Sequence, residues 1–384
     1  MGKVATCRHF IRSVEAAVFP FHNWHELYQR YYRQSIEIYL AQYGTRVQYS
    51  SSPLSTSILR QLASIRDSYR LRRVLGPFAP ISTSVVTEIA KCVGGDKRPT
   101  ASLVGEYFFS LEDGKKIRMC VDSHDSGDLN SQELALRSDV YLKTNYWPTM
   151  HYAESVIPFF NCNPLLLENL KILRPLRGQR QEFDISFIVR VWGGKNEVDG
   201  NEHCLRLLEA VAKTRAEKYL LAYLVGGDIK EMSNRLRQSG IPFTTEPIPR
   251  RKLWEITARS KLTIIRLGMH HCVPWRMSDV LALGACTVLD QPPKTVWPVP
   301  LVEGTHFFSL DAETTTAQSV ASHAQYEVIP DVLENYLTKD EQRSEMSCAA
   351  VKYFEDCLDP KSVGQRICEL VQGFARLKAG VVRG

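Results

Sequence analysis

Short apolar runs alternate with longer stretches whose apolar positions recur at helical spacing along the second half of the chain. The runs predict strands at Phe183–Val189, Tyr219–Val225, Leu262–Leu267 and Cys286–Leu289. The stretches between and beside them predict helices at Glu202–Thr214, Lys230–Ser239, Arg250–Ser260 and Trp275–Leu283. Strands that alternate with helices are typical of a parallel sheet with crossover helices, so we expect an α/β fold.

The first half shows the same alternation less regularly. Lys116–Val121 predicts a buried strand, Gln132–Arg137 a helix and Asp139–Lys143 a short strand. Earlier in the chain, Trp24–Tyr43 predicts a helix rich in Tyr and Arg. The C-terminal segment Leu333–Leu377 has mostly helical spacing, which predicts a helical end to the chain.

Length and composition bound the organisation of the chain. It has 384 residues, of which 44% are hydrophobic and 23% charged, as is usual for a soluble globular protein. Because one core seldom serves more than about 250–300 residues, we expect two domains. Arg174–Gln181 is the candidate linker. We predict a first domain at 1–170, a second at 182–345, and final helices at 346–384.

The net charge and the cysteine pattern indicate which partners and which cellular compartment to expect. The formal charge of +6 favours anionic partners such as phosphates or a membrane surface, but it is too small to predict nucleic-acid binding. The ten cysteines are scattered without a CxxC pair, which favours free thiols in a reducing cytoplasm. No signal peptide and no run of about 18 apolar residues occurs. We expect a cytoplasmic protein whose basic stretches, Arg60–Arg73 and Arg250–Lys261, could contact the inner face of the membrane.

Ligands of an open parallel sheet bind beyond the carboxyl ends of its strands. After the first strand of the second half, two glycines separate Arg190 from Lys195, and both cations suit a phosphate. A polar turn with solvated charges is the alternative. Neither the P-loop pattern nor the GxGxxG fingerprint occurs, which weighs against kinases, P-loop ATPases and ordinary NAD dehydrogenases.

A second loop runs from Gly268 into a helix, and a glycine before a helix N-terminus predicts a phosphate site. Arg276 and Asp279 lie three residues apart, so both are expected on one side of the first helical turn. A local salt bridge between them is the alternative. His270 and His271 are adjacent and point in different directions, so no metal site is predicted there.

The third loop, residues 122–128, follows a buried strand and contains three aspartates and a histidine. It matches neither the calcium-loop pattern nor a DxD motif. We predict that Asp122, His124 or Asp125 supplies a general base facing a cleft. A turn and capping cluster is the alternative.

The second half resembles the donor-binding domain of GT-B glycosyltransferases, most closely the exostosin-like and family 1-type members. The resemblance rests on the segment Leu253–Leu289, in which their R-x-x-E-x-L-x-x-G pattern becomes Arg276-x-x-Asp279-x-Leu281-x-x-Gly284. It implies that Asp279 binds the ribose and that the loop after Gly268 lies beside the phosphates and sugar. The helix N-terminus near Arg276 would then stabilise the leaving phosphate, so Arg276 is a predicted donor-site residue.

The resemblance further implies that Arg190 and Lys195 hold the donor diphosphate. The E-x7-E pattern of retaining members is absent, because its first acid falls at His271. His271 therefore joins the donor-site residues, and the stereochemistry stays open.

The fold implied is two Rossmann-like domains with parallel sheets facing a cleft. The first domain would be on the acceptor side and the second would bind the donor, and the final helices at 346–384 would cross back to the first domain. The implied activity is metal-independent transfer of a sugar, without a cofactor, from a nucleotide-sugar donor to a glycan or lipid-linked acceptor in surface polysaccharide synthesis. A nucleotide-sugar epimerase and a non-catalytic nucleotide- or glycan-binding protein are the alternatives.

Overall fold

A computed structural model describes residues 11–17, 23–49, 103–193, 201–226, 229–314 and 319–381. These residues form two six-stranded sheets with helices packed against them. The predicted α/β fold with two sheets is confirmed. No helix among the described residues is long and apolar enough to cross a membrane.

The first sheet has the order β2-β1-β3-β4-β5-β6. Its strands are β1 (Ile11–Ala17), β2 (Val47–Tyr49), β3 (Val104–Leu111), β4 (Lys116–Asp122), β5 (Val140–Lys143) and β6 (Val156–Pro158). The β4-β5-β6 part is parallel, whereas β3 runs antiparallel to both β1 and β4. The sequence pattern does not predict β3. The β3–β4 hairpin turns at Gly114, whose φ of 81° suits glycine.

The second sheet is parallel at every joint and has the order β12-β11-β10-β7-β8-β9. Its strands are β7 (Phe183–Gly193), β8 (Lys218–Gly226), β9 (Phe243–Thr244), β10 (Ser260–Ile265), β11 (Thr287–Leu289) and β12 (Phe308–Ser309). Strand β7 pairs with β8 as far as Gly193 and Gly226, so it is longer than the predicted Phe183–Val189. Arg190 consequently lies within a strand rather than in the loop after it.

Ten helices belong to the described residues, and most lie where the pattern predicts them. In chain order they are α1 (Asn23–Ala41), α2 (Gln132–Arg137), α3 (Leu166–Leu173), α4 (Asn201–Ala212), α5 (Lys230–Gln238), α6 (Arg250–Ala258), α7 (Arg276–Leu283), α8 (His323–Leu337), α9 (Asp340–Tyr353) and α10 (Pro360–Val381).

The halves share one apolar core. It runs from the first sheet and α1 through α7 to α10, while a second core lies on the other face of the second sheet. Helix α10 packs along α1, so the C-terminal end of the chain contacts the first half. The predicted linker is held in place, because Arg174 and Arg177 both pair with Glu355 at 3.2 and 2.7 Å.

Candidate functional site

The Asp122 carboxylate holds the loop that follows β4. It accepts the backbone N–H groups of His124 and Asn130, both at 2.9 Å, and the Tyr141 hydroxyl at 2.8 Å. The ammonium of Lys143 lies 3.5 Å from it, and both side chains are fully buried. A carboxylate engaged by four donors has no vacant lone pair for an incoming hydroxyl. Asp122 therefore shapes the loop instead of acting as the predicted base.

Lys143 and Asn145 fix the same loop from the end of β5. The Lys143 ammonium and the Asn145 amide both donate to the His124 carbonyl, at 3.0 and 2.9 Å. Burial lowers the pKa of Lys143, and the nearby Asp122 carboxylate opposes that shift. The loop thus rests on a buried ion pair and its backbone is tightly specified.

Asp125 differs from Asp122 in having no partner for its carboxylate. Within the described residues, no hydrogen bond reaches the Asp125 side chain, although it is half-buried. Burial raises the pKa of Asp125, and the charges of His124, Lys143 and His270 act against that shift. A carboxylate with a raised pKa and vacant lone pairs suits proton transfer. Of the three predicted candidates, Asp125 is therefore the one best placed to be a base.

The turn after β10 has a strained backbone. His270 and His271 have φ values of 58° and 57°, a conformation that non-glycine residues seldom adopt. The Gly268 amide closes the turn by donating to the Cys272 carbonyl at 3.0 Å. A side chain at Gly268 would bring its Cβ to 2.5 Å from the Cys272 sulfur, so glycine is needed there for packing. Strain of this kind is characteristic of ligand-binding turns.

The turn places one unpartnered nitrogen in a small pocket. His271 is 4% exposed, and its Nε2 atom has no hydrogen-bond partner in the described part of the chain. Burial and the neighbouring Lys294 lower the pKa of His271, and a hydrogen bond with Gln291 and the charge of Asp290 oppose that shift. The pocket lies at the carboxyl ends of β10 and β11 and is lined by His203, Arg266, Leu267, Gly268, His271, Asp290, Gln291, Thr314 and Ser319. Gly268 and His271 thus both line this pocket, and their role in donor binding stays a prediction.

Arg276 does not line this pocket. Its guanidinium donates to the Ile188 carbonyl at 2.8 Å and to the Thr257 hydroxyl at 3.3 Å, and it lies over the Trp254 ring. Burial lowers the pKa of Arg276 to about 10. These contacts tie α7 to β7 and α6, so Arg276 has a packing role where a phosphate ligand was predicted.

Asp279 is likewise taken up inside the protein. It is fully buried, and its two carboxylate oxygens accept the amide groups of Asn163 and Asn169 from the first half. Burial raises the pKa of Asp279 to about 7 despite those donors. The predicted ribose contact requires an accessible carboxylate. The packing of α7 against α3 instead directs the Asp279 carboxylate into the interface between the two halves.

The basic residues that the sequence predicted to bind phosphate or a membrane do not gather at the pocket. Arg190 is exposed on β7 and lies over the rings of Trp192 and Tyr223, outside the pocket. Lys195 and Arg60–Arg73 lie outside the described residues. Four of the basic residues at and after α6 have partners within the chain: Arg250 with Asn169, Arg251 with Glu255, Arg259 with Glu182 and Lys261 with Asp184. These intramolecular contacts give no support to a membrane-facing role.

The two halves meet through the loops at their strand ends. The Asn161 amide donates to the Val273 carbonyl at 2.8 Å, and the Val296 amide donates to the Tyr146 carbonyl at 2.9 Å. Across this boundary, the charge of Asp125 raises the pKa of Cys272, and the charge of His270 lowers the pKa of Asp125. The first-half loop with Asp125 therefore faces the second-half turn with His271.

The residues that sequence reasoning missed are Lys143, His203 and Asp290. Asp290 directly follows β11, so the rule that selects loops at strand ends would have found it if it had been applied to that strand. His203 and Lys143 had no such signal, because their partners are distant in sequence. Among the described residues, no group of three or more His, Cys, Asp or Glu side chains is arranged to hold a metal ion.

Two α/β sheets whose strand-end loops face each other are the arrangement that the sequence resemblance implies. Matching solved structures include a domain of a glycosyl transferase group 1 family protein (LpcC) from Francisella tularensis, at 11% identity and a TM-score of 0.32, covering 48% of this chain and 89% of that one. MurG from Acinetobacter baumannii matches at 12% identity and a TM-score of 0.37, covering 90% of this chain and 96% of that one. Alr3699/HepE from Anabaena, in complex with UDP and glucose, matches at 12% identity and a TM-score of 0.39, covering 87% of this chain and 88% of that one.

At these identities and TM-scores the likeness concerns the fold, and it assigns no residue and no activity. No protein-family model matches the chain, and no curated protein is similar to it in sequence.

Proposed function

We propose that the chain is a glycosyltransferase that moves a sugar from a nucleotide-sugar donor to a hydroxyl group of a glycan or lipid-linked acceptor. The observation that carries the proposal is a pair of groups on facing loops, the Asp125 carboxylate and the His271 Nε2 atom, which have no hydrogen-bond partner among the described residues. One can accept a proton and the other can bind a phosphate or sugar oxygen. Surface polysaccharide synthesis and attachment to a membrane remain predictions.

The proposed reaction needs few groups. In an inverting transfer, the acceptor oxygen attacks the anomeric carbon as the bond from that carbon to the phosphate oxygen breaks, and the phosphate keeps the electron pair. Asp125 takes the acceptor proton. Donors around the pocket, His271 and Arg266 among them, stabilise the charge that develops on the leaving diphosphate. No metal ion is required in this scheme.

A nucleotide screen tests the donor site first. Unfolding temperatures are measured with UDP, GDP, CMP, ADP and their sugars, with and without EDTA. We expect one nucleotide to raise the temperature with EDTA present, and His271→Asn to abolish the rise. Asparagine tolerates the left-handed conformation at this position but does not extend as far. His306→Ala, which removes a partly buried imidazole elsewhere, is the matched control. No shift with any nucleotide refutes the donor site.

The role of Asp125 is tested by transfer to a panel of glycan and lipid-linked acceptors. Asp125→Asn should keep the nucleotide-induced shift while transfer falls by about 10²–10⁴-fold, the usual contribution of a general base. Asp128→Asn, an exposed change in the same loop, is the control. Equal rates for the two variants would show that Asp125 is not the base. Nucleotide binding without transfer or hydrolysis would favour the non-catalytic alternative.

A further inference from the structure

A chain of buried hydrogen bonds leads away from the pocket and ends at helix α8. His203, at the start of α4, contacts the Asp290 carboxylate through Nε2 at 3.1 Å and the Tyr326 hydroxyl through Nδ1 at 2.6 Å. The other oxygen of Asp290 accepts the Leu267 amide at 2.8 Å. His203, Asp290 and Tyr326 are 2%, 1% and 5% exposed. The Leu267 amide belongs to the segment that opens the strained turn.

The direction of each hydrogen bond follows from its partners. The Tyr326 oxygen accepts the Ala321 amide at 3.1 Å, which leaves its own proton to be donated to His203 Nδ1. The proton of His203 then lies on Nε2 and is donated to Asp290. The network is therefore complete with a neutral histidine and an ionised Asp290.

We propose that His203 and Tyr326 are positioning residues, which hold the Asp290 carboxylate against the Leu267 amide and so fix the turn that presents His271 to the pocket. The proposal rests on the proposed function, because it takes a phosphate group as the ligand of the pocket. It also explains how a carboxylate can line a phosphate site. Both oxygens of Asp290 are engaged by N–H donors, which partly neutralise its charge.

The test removes one hydroxyl group at a time. Tyr326→Phe deletes the donor to His203, while Tyr336→Phe on the same helix deletes a hydroxyl that donates to the Ser309 carbonyl at 2.7 Å, away from the pocket. Binding of inorganic pyrophosphate is measured by calorimetry. Since one buried hydrogen bond corresponds to about a tenfold change, we expect Tyr326→Phe to bind about tenfold more weakly and Tyr336→Phe to bind as the wild type does.

A second pair of variants separates positioning from folding. The side-chain amide of His203→Gln can still donate to Asp290, so it should retain more pyrophosphate binding than His203→Leu. Nitrogen NMR of the histidine rings reports the tautomer without any ligand, and the signal that His203→Gln removes identifies His203. We expect the proton on Nε2. A proton on Nδ1 would overturn the network.

The two proposals fail in different ways. If pyrophosphate binds the wild type and Tyr326→Phe equally, the positioning role is refuted while the phosphate site stands. If pyrophosphate does not bind the wild type at all, the phosphate site itself is refuted and the positioning role falls with it. A loss of binding shared by Tyr326→Phe and Tyr336→Phe would assign the effect to general destabilisation and would also refute the proposal.

Discussion

Replacing Gly364 by alanine tests the packing that joins the last helix to the first half. Gly364 lies where α10 crosses α1, and a Cβ atom there would come within 2.1 Å of the Ser35 carbonyl oxygen and 2.8 Å of Tyr39 Cβ. The nearest of these atoms belongs to the backbone of a buried helix, so it cannot turn aside as a flexible side chain would. The two helices must move apart instead.

The magnitude follows from the size of that movement. Ordinary contact begins near 3.4 Å, so the helices must separate by about 1 Å. Such a shift weakens the packing of buried neighbours on both helices, including Ile36 and Ile367, which are fully buried in the shared core. Overpacking of this kind costs about 1–3 kcal/mol. We expect the free energy of unfolding to fall by about 1–2 kcal/mol, since alanine's better helix propensity offsets up to about 1 kcal/mol of that cost.

Gly373 provides the matched control. It lies on the same helix, and a Cβ there would meet nothing within 4 Å. Gly373→Ala should therefore stabilise the protein by up to about 1 kcal/mol through helix propensity alone. Denaturant unfolding followed by circular dichroism gives the midpoints of both variants and the wild type. A midpoint for Gly364→Ala at or above that of the wild type would refute the close crossing.

Two further predictions concern buried charges. The folded pKa of Asp279, about 7, exceeds its usual 3.8, so the folded protein keeps a proton that the unfolded chain releases between these values. The contribution of this group to stability should fall by at most about 4 kcal/mol as the pH rises from about 4 to 7 and then level off. Urea unfolding across this range should therefore show stability changing with pH differently in the wild type and in Asp279→Asn, with the wild type losing more as the pH rises; equal pH dependence would contradict the buried carboxyl group. Lys143→Met leaves the Asp122 carboxylate buried without its cation, which should lower the free energy of unfolding by about 3–5 kcal/mol. Unfolding curves of Lys143→Met and of exposed Lys116→Met as control test this, and equal values would contradict the buried pair.

The second sheet could be predicted from sequence because its information is local. Each strand is an apolar run bounded by polar turns, and each crossover helix has its own amphipathic spacing. Strand β3 was missed although Asp113-Gly114 stands between it and β4, a dipeptide typical of a hairpin. Strand β7 was predicted too short, since Arg190 interrupts the apolar run and pairing with β8 continues the strand as far as Gly193.

The roles of individual carboxylates could not be predicted in this way. Spacing along α7 places Asp279 near a helix start, but the register of α7 against α3 decides whether the side chain faces a pocket or the two asparagines. The same holds for Asp122, whose ammonium partner lies 21 residues away on a neighbouring strand. Sequence spacing predicts which loops hold the site, whereas tertiary contacts decide which side chains remain available to a ligand.

The three carboxylates predicted from the sequence differ in how many hydrogen-bond donors within the protein already engage them. Asp122 has four donors on its two oxygens, and Asp279 has an amide on each. Replacing either should lower stability first, because buried donors lose their acceptor. Asp125 has no such donor among the described residues and carries a pKa raised by burial. A variant of Asp125 should therefore lose catalysis while it keeps its fold, and this separation of stability from activity is what distinguishes the base from the two structural carboxylates.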